Sequence, residues 1–277
     1  MGALINWRHG TKLYLSCYET CWRSLMISVK GQWALVTGAS RGLGYLSAIA
    51  LAQQGCNLIV HSRSLKHCDK IKAQAEALGV EVICLAAELS IHSEVIQLLD
   101  AIEATGKPID IVLNNAGIQV TYQENYWATP VDDFTLSYNV NVIAISTICY
   151  RLIPKMIARG FGRVVNTTSG IKDDPQQAAY SASKAALDKF TIDLASKLDN
   201  TGVTLSLTDP DWCRTDLGGP HANHSPESAL PGVIVAAFLS DTKNVKGCRY
   251  IHAQAFSGLT LEEAVKKAEE ANVQVNV

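Results

Sequence analysis

QWALVTGASRGLGYLSAIALAQQG, residues 32–55, decides how the rest of the chain reads. Its opening run, Gln32–Thr37, is a short apolar stretch of buried-strand character, while Leu43–Gln54 carries apolar residues at helical spacing and stops at Gly55. Between them lies Thr37-Gly38-Ala39-Ser40-Arg41-Gly42-Leu43-Gly44. Glycines at a strand-to-helix turn let the backbone approach a pyrophosphate, and the free N–H groups and dipole at the helix start attract its charge. The spacing is Gly-x-x-x-Gly-x-Gly rather than the commoner Gly-x-Gly-x-x-Gly. A phosphate-cradling turn is therefore expected at Gly38, Ser40, Arg41, Gly42, Leu43 and Gly44.

Downstream the alternation repeats. Strands are expected at 57–61, 80–86, 109–114, 162–169, 202–208 and 248–252. Helices are expected near 66–78, 91–104, 132–158, 177–198 and 226–239, with Pro154 loosening the end of the long one and a helical tail at the C-terminus. Parallel strands need long crossovers, so this pattern implies an α/β fold: a doubly wound, Rossmann-type parallel sheet of about seven strands, helices on both faces, one domain over 30–277.

Residues 1–29 read differently. They hold Trp7, Trp22, several basic residues and one acid, Glu19, without a clean period. The stretch is expected to be a loosely ordered extension. Its basic, acid-poor character also suits a mitochondrial presequence, against a default cytoplasmic location. Met26, just before the first strand, is a candidate translation start: an intact mass lacking residues 1–25 supports it and one including them overturns it.

Composition narrows the function. Apolar residues are 48% and charged residues 18%, ordinary for a globular enzyme, and the net charge is -2. That charge gives no reason to expect nucleic acid or an anionic membrane as partner. No apolar run approaches the roughly 20 residues that span a bilayer. Eight cysteines are scattered singly apart from Cys17 and Cys21, whose spacing fits no zinc pair, so reduced thiols are expected. His221 and His224 lie in the loop 216–228, without further ligands nearby, and no metal site is expected.

Two readings concern chemistry. The end of the second strand reads His61-Ser62-Arg63, with no acid for the ribose hydroxyls of NAD. Ser62 and Arg63, with Arg41, instead suit the 2′-phosphate of NADP, for which arginine's planar fork is apt. Tyr180 and Lys184 stand four apart in a helical segment and so share a face. An ammonium near a phenol is expected to lower its pKa and make it a usable acid/base group.

The ordered set TGASRGLG (37–44), NNAG (114–117), the Asn141 region, Ser169, YSASK (180–184) and DPDWCRTD (209–216) resembles the short-chain dehydrogenases/reductases over roughly residues 30–255. The resemblance implies an NADPH-dependent carbonyl reductase, reversible, with a small-molecule carbonyl or alcohol as substrate. Tyr180 would be the general acid/base, and Ser169 would bond the substrate oxygen. Lys184 would hold the nicotinamide ribose, and Asn141, preferred to Asn139, would anchor a water. Glu88 and Leu89 would lie near the adenine, Asn115, Ala116 and Gly117 along the cofactor, and Pro210 and Thr215 near the carboxamide. A homodimer or homotetramer through the long helices is implied as well.

Asp211 departs from the Pro-Gly usual in such proteins. It costs easy access to positive φ and brings a carboxylate toward the nicotinamide, so it is expected to tune the ratio of NADP to NADPH affinity. The loop 216–228 reads as a lid over the strand ends, with Tyr122, Tyr126 and Trp127 either walling the pocket or simply packing on the surface. Two rivals remain open: a dinucleotide-bound regulatory or scaffold protein without turnover, and a dehydratase or epimerase of the same fold.

Overall fold

The computed structural model describes residues 26–171, 174–240 and 247–271. The apolar runs form strands because burial on both faces favours continuous β-branched and aliphatic stretches. They are β1 (Trp33–Val36), β2 (Asn57–Ser62), β3 (Val82–Ala86), β4 (Ile111–Asn114), β5 (Gly162–Thr167), β6 (Val203–Asp209) and β7 (Arg249–His252). All pair in parallel, in the order β3-β2-β1-β4-β5-β6-β7. The helices are α1 (Gly42–Gln53), α2 (Asp69–Glu76), α3 (His92–Ala104), α4 (Val131–Tyr138), α5 (Ile145–Arg159), α6 (Ala178–Ala195) and α7 (Leu261–Ala271).

Alternate residues of each strand feed two cores. In β1, Ala34 and Val36 join Leu51, Leu58, Ile71 and Phe238, whereas Trp33 and Leu35 join Leu99, Ile148, Leu152 and Leu187 on the other face. The strand order reverses between β1 and β4, which opens a crevice at the carboxyl ends of the central strands. The folded domain begins by Met26, which bridges to Leu239, while the Ile27 N–H bonds Phe238 O at 3.0 Å. The earlier residues, Cys17 and Cys21 among them, lie outside the described ones. The six described cysteines are unpaired.

Four expectations change. The long helix expected over 132–158 is α4 and α5 joined by a π segment, Asn139–Ala144, a form that recurs at functional sites. Pro154 sits inside α5, which nevertheless runs on to Arg159 and ends at Gly160 in the left-handed region. By length and composition alone Val131–Arg159 is apolar enough to cross a bilayer, contrary to the sequence expectation; over half of its most apolar 18-residue stretch is buried inside the protein. The helix expected over 226–239 is instead two short 3₁₀ turns, Pro226–Ala229 and Val235–Phe238. Pro231 lacks an N–H to donate, and a Cβ at Gly232 would lie 2.4 Å from the Ala253 backbone, so the segment lies flat against the 253–256 turn.

Candidate active site

The glycine turn is built for close approach. Gly38 and Gly42 have φ of 65° and 56°, which side chains other than glycine's rarely adopt. A Cβ on Gly44 would fall 2.3 Å from Gly38 O and 2.4 Å from Asn115 Nδ2, so α1 can start only where glycine stands. The start of α1 offers N–H groups with no side-chain cap at Arg41. Thr37 and Asn115 brace this turn: the Thr37 hydroxyl accepts the N–H groups of Asn115 and Ala116 at 3.1 and 3.0 Å, and Asn115 Nδ2 donates to Thr37 O at 3.1 Å. Asn115 therefore supports the cradle, while Ala116 packs against Gly38.

His61, which the sequence reading noted only for not being an acid, is a second brace. It is buried; its Nδ1 accepts the Gly38 N–H at 3.4 Å and its Nε2 lies 3.0 Å from Ala87 O. Burial lowers its pKa, so the neutral tautomer with hydrogen on Nε2 satisfies both contacts. The one sign in the sequence is a histidine that directly follows the apolar run Leu58-Ile59-Val60.

The ribose end is less uniform than expected. Arg63 is exposed beyond β2. Ser62 is buried, and its hydroxyl donates to Ser64 O at 2.5 Å, so it shapes the turn that presents Arg63 instead of facing the crevice. Leu89 is likewise a core residue, packed with Val95 and Leu98, and Glu88 spends one oxygen on the Ser90 N–H at 3.1 Å. Arg41 pairs with Asp216 at 2.5 Å, and Thr215 Cγ2 would meet a Cβ on Gly42 at 3.4 Å. The segment after β6 thus crosses over the glycine turn. Pro210 is buried, and its carbonyl accepts Gln254 Nε2 at 2.9 Å.

The four chemistry-bearing side chains meet at the ends of β4 and β5. Tyr180 and Lys184 are both buried on α6, and Lys184 Nζ lies 5.7 Å from the Tyr180 ring centroid. Ser169, two residues beyond β5, stands close enough to Tyr180 to pull its pKa down, and its Oγ accepts the Ile171 N–H at 3.3 Å. Lys184 Nζ donates to Thr167 O at 2.9 Å. Asn141, fully buried in the π segment, accepts the Ile118 N–H at 3.0 Å and donates to Ile118 O and Ser183 Oγ at 2.9 and 3.0 Å. Its amide is committed to protein partners, so water anchoring is left to the second lone pair of Oδ1. Asn141 Oδ1 and Lys184 Nζ converge on Gly117, where a Cβ would lie 3.3 and 3.6 Å away. Asn139 points elsewhere, donating to Ser90 O.

One electrostatic expectation reverses. By the protein's own groups, Tyr180 is pushed up to about 12, first by burial and then by the charge of Asp209, against the pull of Ser169. Burial brings Lys184 down to about 8, with Asp188 and Asp209 opposing. Desolvation outweighs the neighbouring ammonium here.

A family profile described as short chain dehydrogenase matches residues 32–225. The chain belongs to the short-chain dehydrogenases. A curated relative, the 3-oxoacyl-[acyl-carrier-protein] reductase of Synechocystis, is 34% identical over 196 residues, covering 69% of this chain and 78% of its own. Another, human inactive hydroxysteroid dehydrogenase-like protein 1, is 31% identical over 202 residues, 72% of this chain and 61% of its own. Among solved structures, a 3-oxoacyl reductase from Agrobacterium tumefaciens with NADP bound superposes with a TM-score of 0.64 at 30% identity, covering 68% of this chain and 73% of that one. An NAD+-bound xylitol dehydrogenase gives 0.64 at 28% identity, with the same two coverages. This short-chain dehydrogenase thus shares its oxidoreductase fold with relatives that carry either dinucleotide.

The remaining predicted features sort by exposure. Tyr122, Tyr126 and Trp127 are exposed, Trp127 by 89%, and pack as surface groups. Tyr126, with Phe134, Ile171 and Pro175, also edges an open groove of about 410 Å³ along α6. His221 is exposed, and His224 Nε2 lies 3.4 Å from Asp211 Oδ2. Among the described residues no cluster of three or more His, Cys, Asp or Glu side chains is placed to hold a metal.

Proposed function

We propose that this short-chain dehydrogenase is an NADPH-dependent carbonyl reductase that acts reversibly on a small-molecule carbonyl/alcohol pair. The observation that carries the reading is that Ser169, Tyr180 and Lys184 stand together, with Lys184 Nζ beside Gly117. The cradle fits a dinucleotide because Gly38 and Gly42 take a positive φ and Gly44 stands where no side chain has room, which together let the chain make the tight turn into the start of α1, and because Arg41 and Arg63 flank it with no acid at the end of β2. Those arginines favour the 2′-phosphate of NADP over the bare hydroxyls of NAD. When bound, NADPH supplies the hydride.

Ser169 donates to the substrate carbonyl oxygen and holds charge as it develops. Tyr180 delivers a proton to the same oxygen. Lys184, held by Thr167 O beside Gly117, would hold a ribose hydroxyl of the cofactor. Asn141 fixes the loop after β4 against α6, through Ile118 and Ser183, so that these groups keep their spacing.

The test is stopped-flow oxidation of NADPH across a panel of ketones, aldehydes, ketoses and 3-oxoacyl thioesters, run beside Tyr180→Phe. Hydride transfer by the wild type that Tyr180→Phe abolishes establishes the reading. Tight NADPH binding without oxidation over the whole panel establishes the non-catalytic alternative.

A further inference from the structure

Asp216 stands on the segment after β6, and the chemistry above makes no use of it. Its Oδ2 lies 2.5 Å from Arg41 Nη1, on the glycine turn. A closed turn sets the carboxylate there. The Thr215 N–H donates to Cys213 O at 2.8 Å, the Thr215 hydroxyl accepts the Gly218 N–H at 3.1 Å, and the Gly219 N–H donates to Thr215 O at 2.8 Å. Trp212 Nε1 fastens the same turn by donating to Gly218 O at 2.7 Å. A Cβ on Gly218 would lie 2.2 Å from Cys213 O, so glycine alone fits. Thr215 in turn lies against Gly42, the first residue of α1. Asp216 thereby brings a negative charge to a helix start whose first turn has no acidic residue of its own.

We propose that Asp216 is a specificity-determining residue: its carboxylate occupies the guanidinium of Arg41 and so narrows the preference for NADP over NAD. The inference rests on the proposed function, in which Arg41 and Arg63 read the 2′-phosphate of NADP.

The two arginines differ in their partners. Among the described residues Arg63 enters no ion pair, whereas Arg41 is held by Asp216. A phosphate dianion that meets Arg41 must displace a carboxylate and then stand beside its charge. The side chains of the pair are 63% and 68% exposed, and exposed ion pairs contribute little. The exchange is therefore open to a phosphate, which a guanidinium can take through two parallel N–H bonds. Asp216 weakens the grip on NADP without closing the site to it. NAD lacks the phosphate, so a group that acts through Arg41 leaves its binding alone.

Dissociation constants for NADPH and NADH, from fluorescence titration of the wild type, Asp216→Asn, Arg41→Ala and the double variant, test the proposal. Asp216→Asn keeps the shape of the side chain and removes its charge. It is expected to bind NADPH about threefold or more tightly at low salt, with NADH affinity nearly unchanged, and the gain shrinks in about 0.5 M salt. Arg41→Ala is expected to weaken NADPH and spare NADH, and in that background the gain from Asp216→Asn disappears. Unchanged NADPH affinity in Asp216→Asn, an equal gain for NADH, or a full gain without Arg41 overturns the proposal. A wild type that binds NADPH but oxidises none across the substrate panel refutes only the proposed reaction, and the four affinities still decide the role of Asp216. A wild type that binds neither dinucleotide overturns both.

Discussion

Burial and Asp209 hold Tyr180 as a phenol, and among the described groups Ser169 pulls the other way. Tyr180→Phe is expected to lower kcat about 10²–10⁴-fold, the range for losing a general acid, with NADPH affinity nearly unchanged by fluorescence titration. A comparable loss of affinity would mean that the hydroxyl chiefly holds cofactor. Asp211 presents a different balance. It keeps the positive φ of 62° that a glycine would adopt freely, and its carboxylate faces His224 on a side chain 56% exposed. Asp211→Gly is expected to stabilise the protein by about 0.5–1 kcal/mol in urea melts, since exposed ion pairs contribute little. A destabilised variant would show that the contact with His224 outweighs the backbone strain. The ratio of NADP to NADPH affinity, measured on the same variant, tests whether the carboxylate also acts on the cofactor.

At the scale of elements, the first strand–turn–helix unit is a clamp with several jaws. Gly44→Ala places a methyl group against Gly38 O and Asn115 Nδ2, and neither backbone nor a braced amide can retreat. NADPH affinity is expected to drop at least about tenfold by titration. His61 gives the same unit a pH dependence. Its pKa is lowered on folding, so below its ordinary 6.5 the unfolded chain takes up a proton that the folded one resists. Stability is therefore fully present above that pH and declines as pH falls through it. Thermal melts should show the midpoint dropping from pH 7 to 5, and His61→Gln should flatten that drop. An equally steep drop in the variant would assign it to other groups.

For the whole molecule, α4 to α6 set both the site and the outer surface. Leu136, Ile143, Tyr150 and Ile157 are large apolar residues left exposed along α4, the π segment and α5. Their seven-residue spacing puts them along one side of these elements, and large contiguous apolar surface is where protein contacts form. We propose self-association through these helices, in keeping with the oligomers that the family resemblance implies. Tyr150→Lys is expected to shift sedimentation toward the monomer, and an unchanged oligomer would place the contact elsewhere.

The strand runs, the glycine turn and the Tyr180–Lys184 spacing were legible because they depend on neighbours within a few residues: period, backbone freedom at glycine, one helical turn. The π segment at Asn141, the unwinding of 226–239 and the inward turn of Ser62 and Leu89 were not, since each follows from what another segment presses against it. The same holds for charge. Sequence spacing brings an ammonium near a phenol, but whether the phenol ionises depends on desolvation and on Asp209, which reaches the site only because β6 lies beside β5. Local patterning thus determined the fold and the identity of the reacting groups, and only tertiary packing, which sets burial and brings distant charges together, decided their protonation.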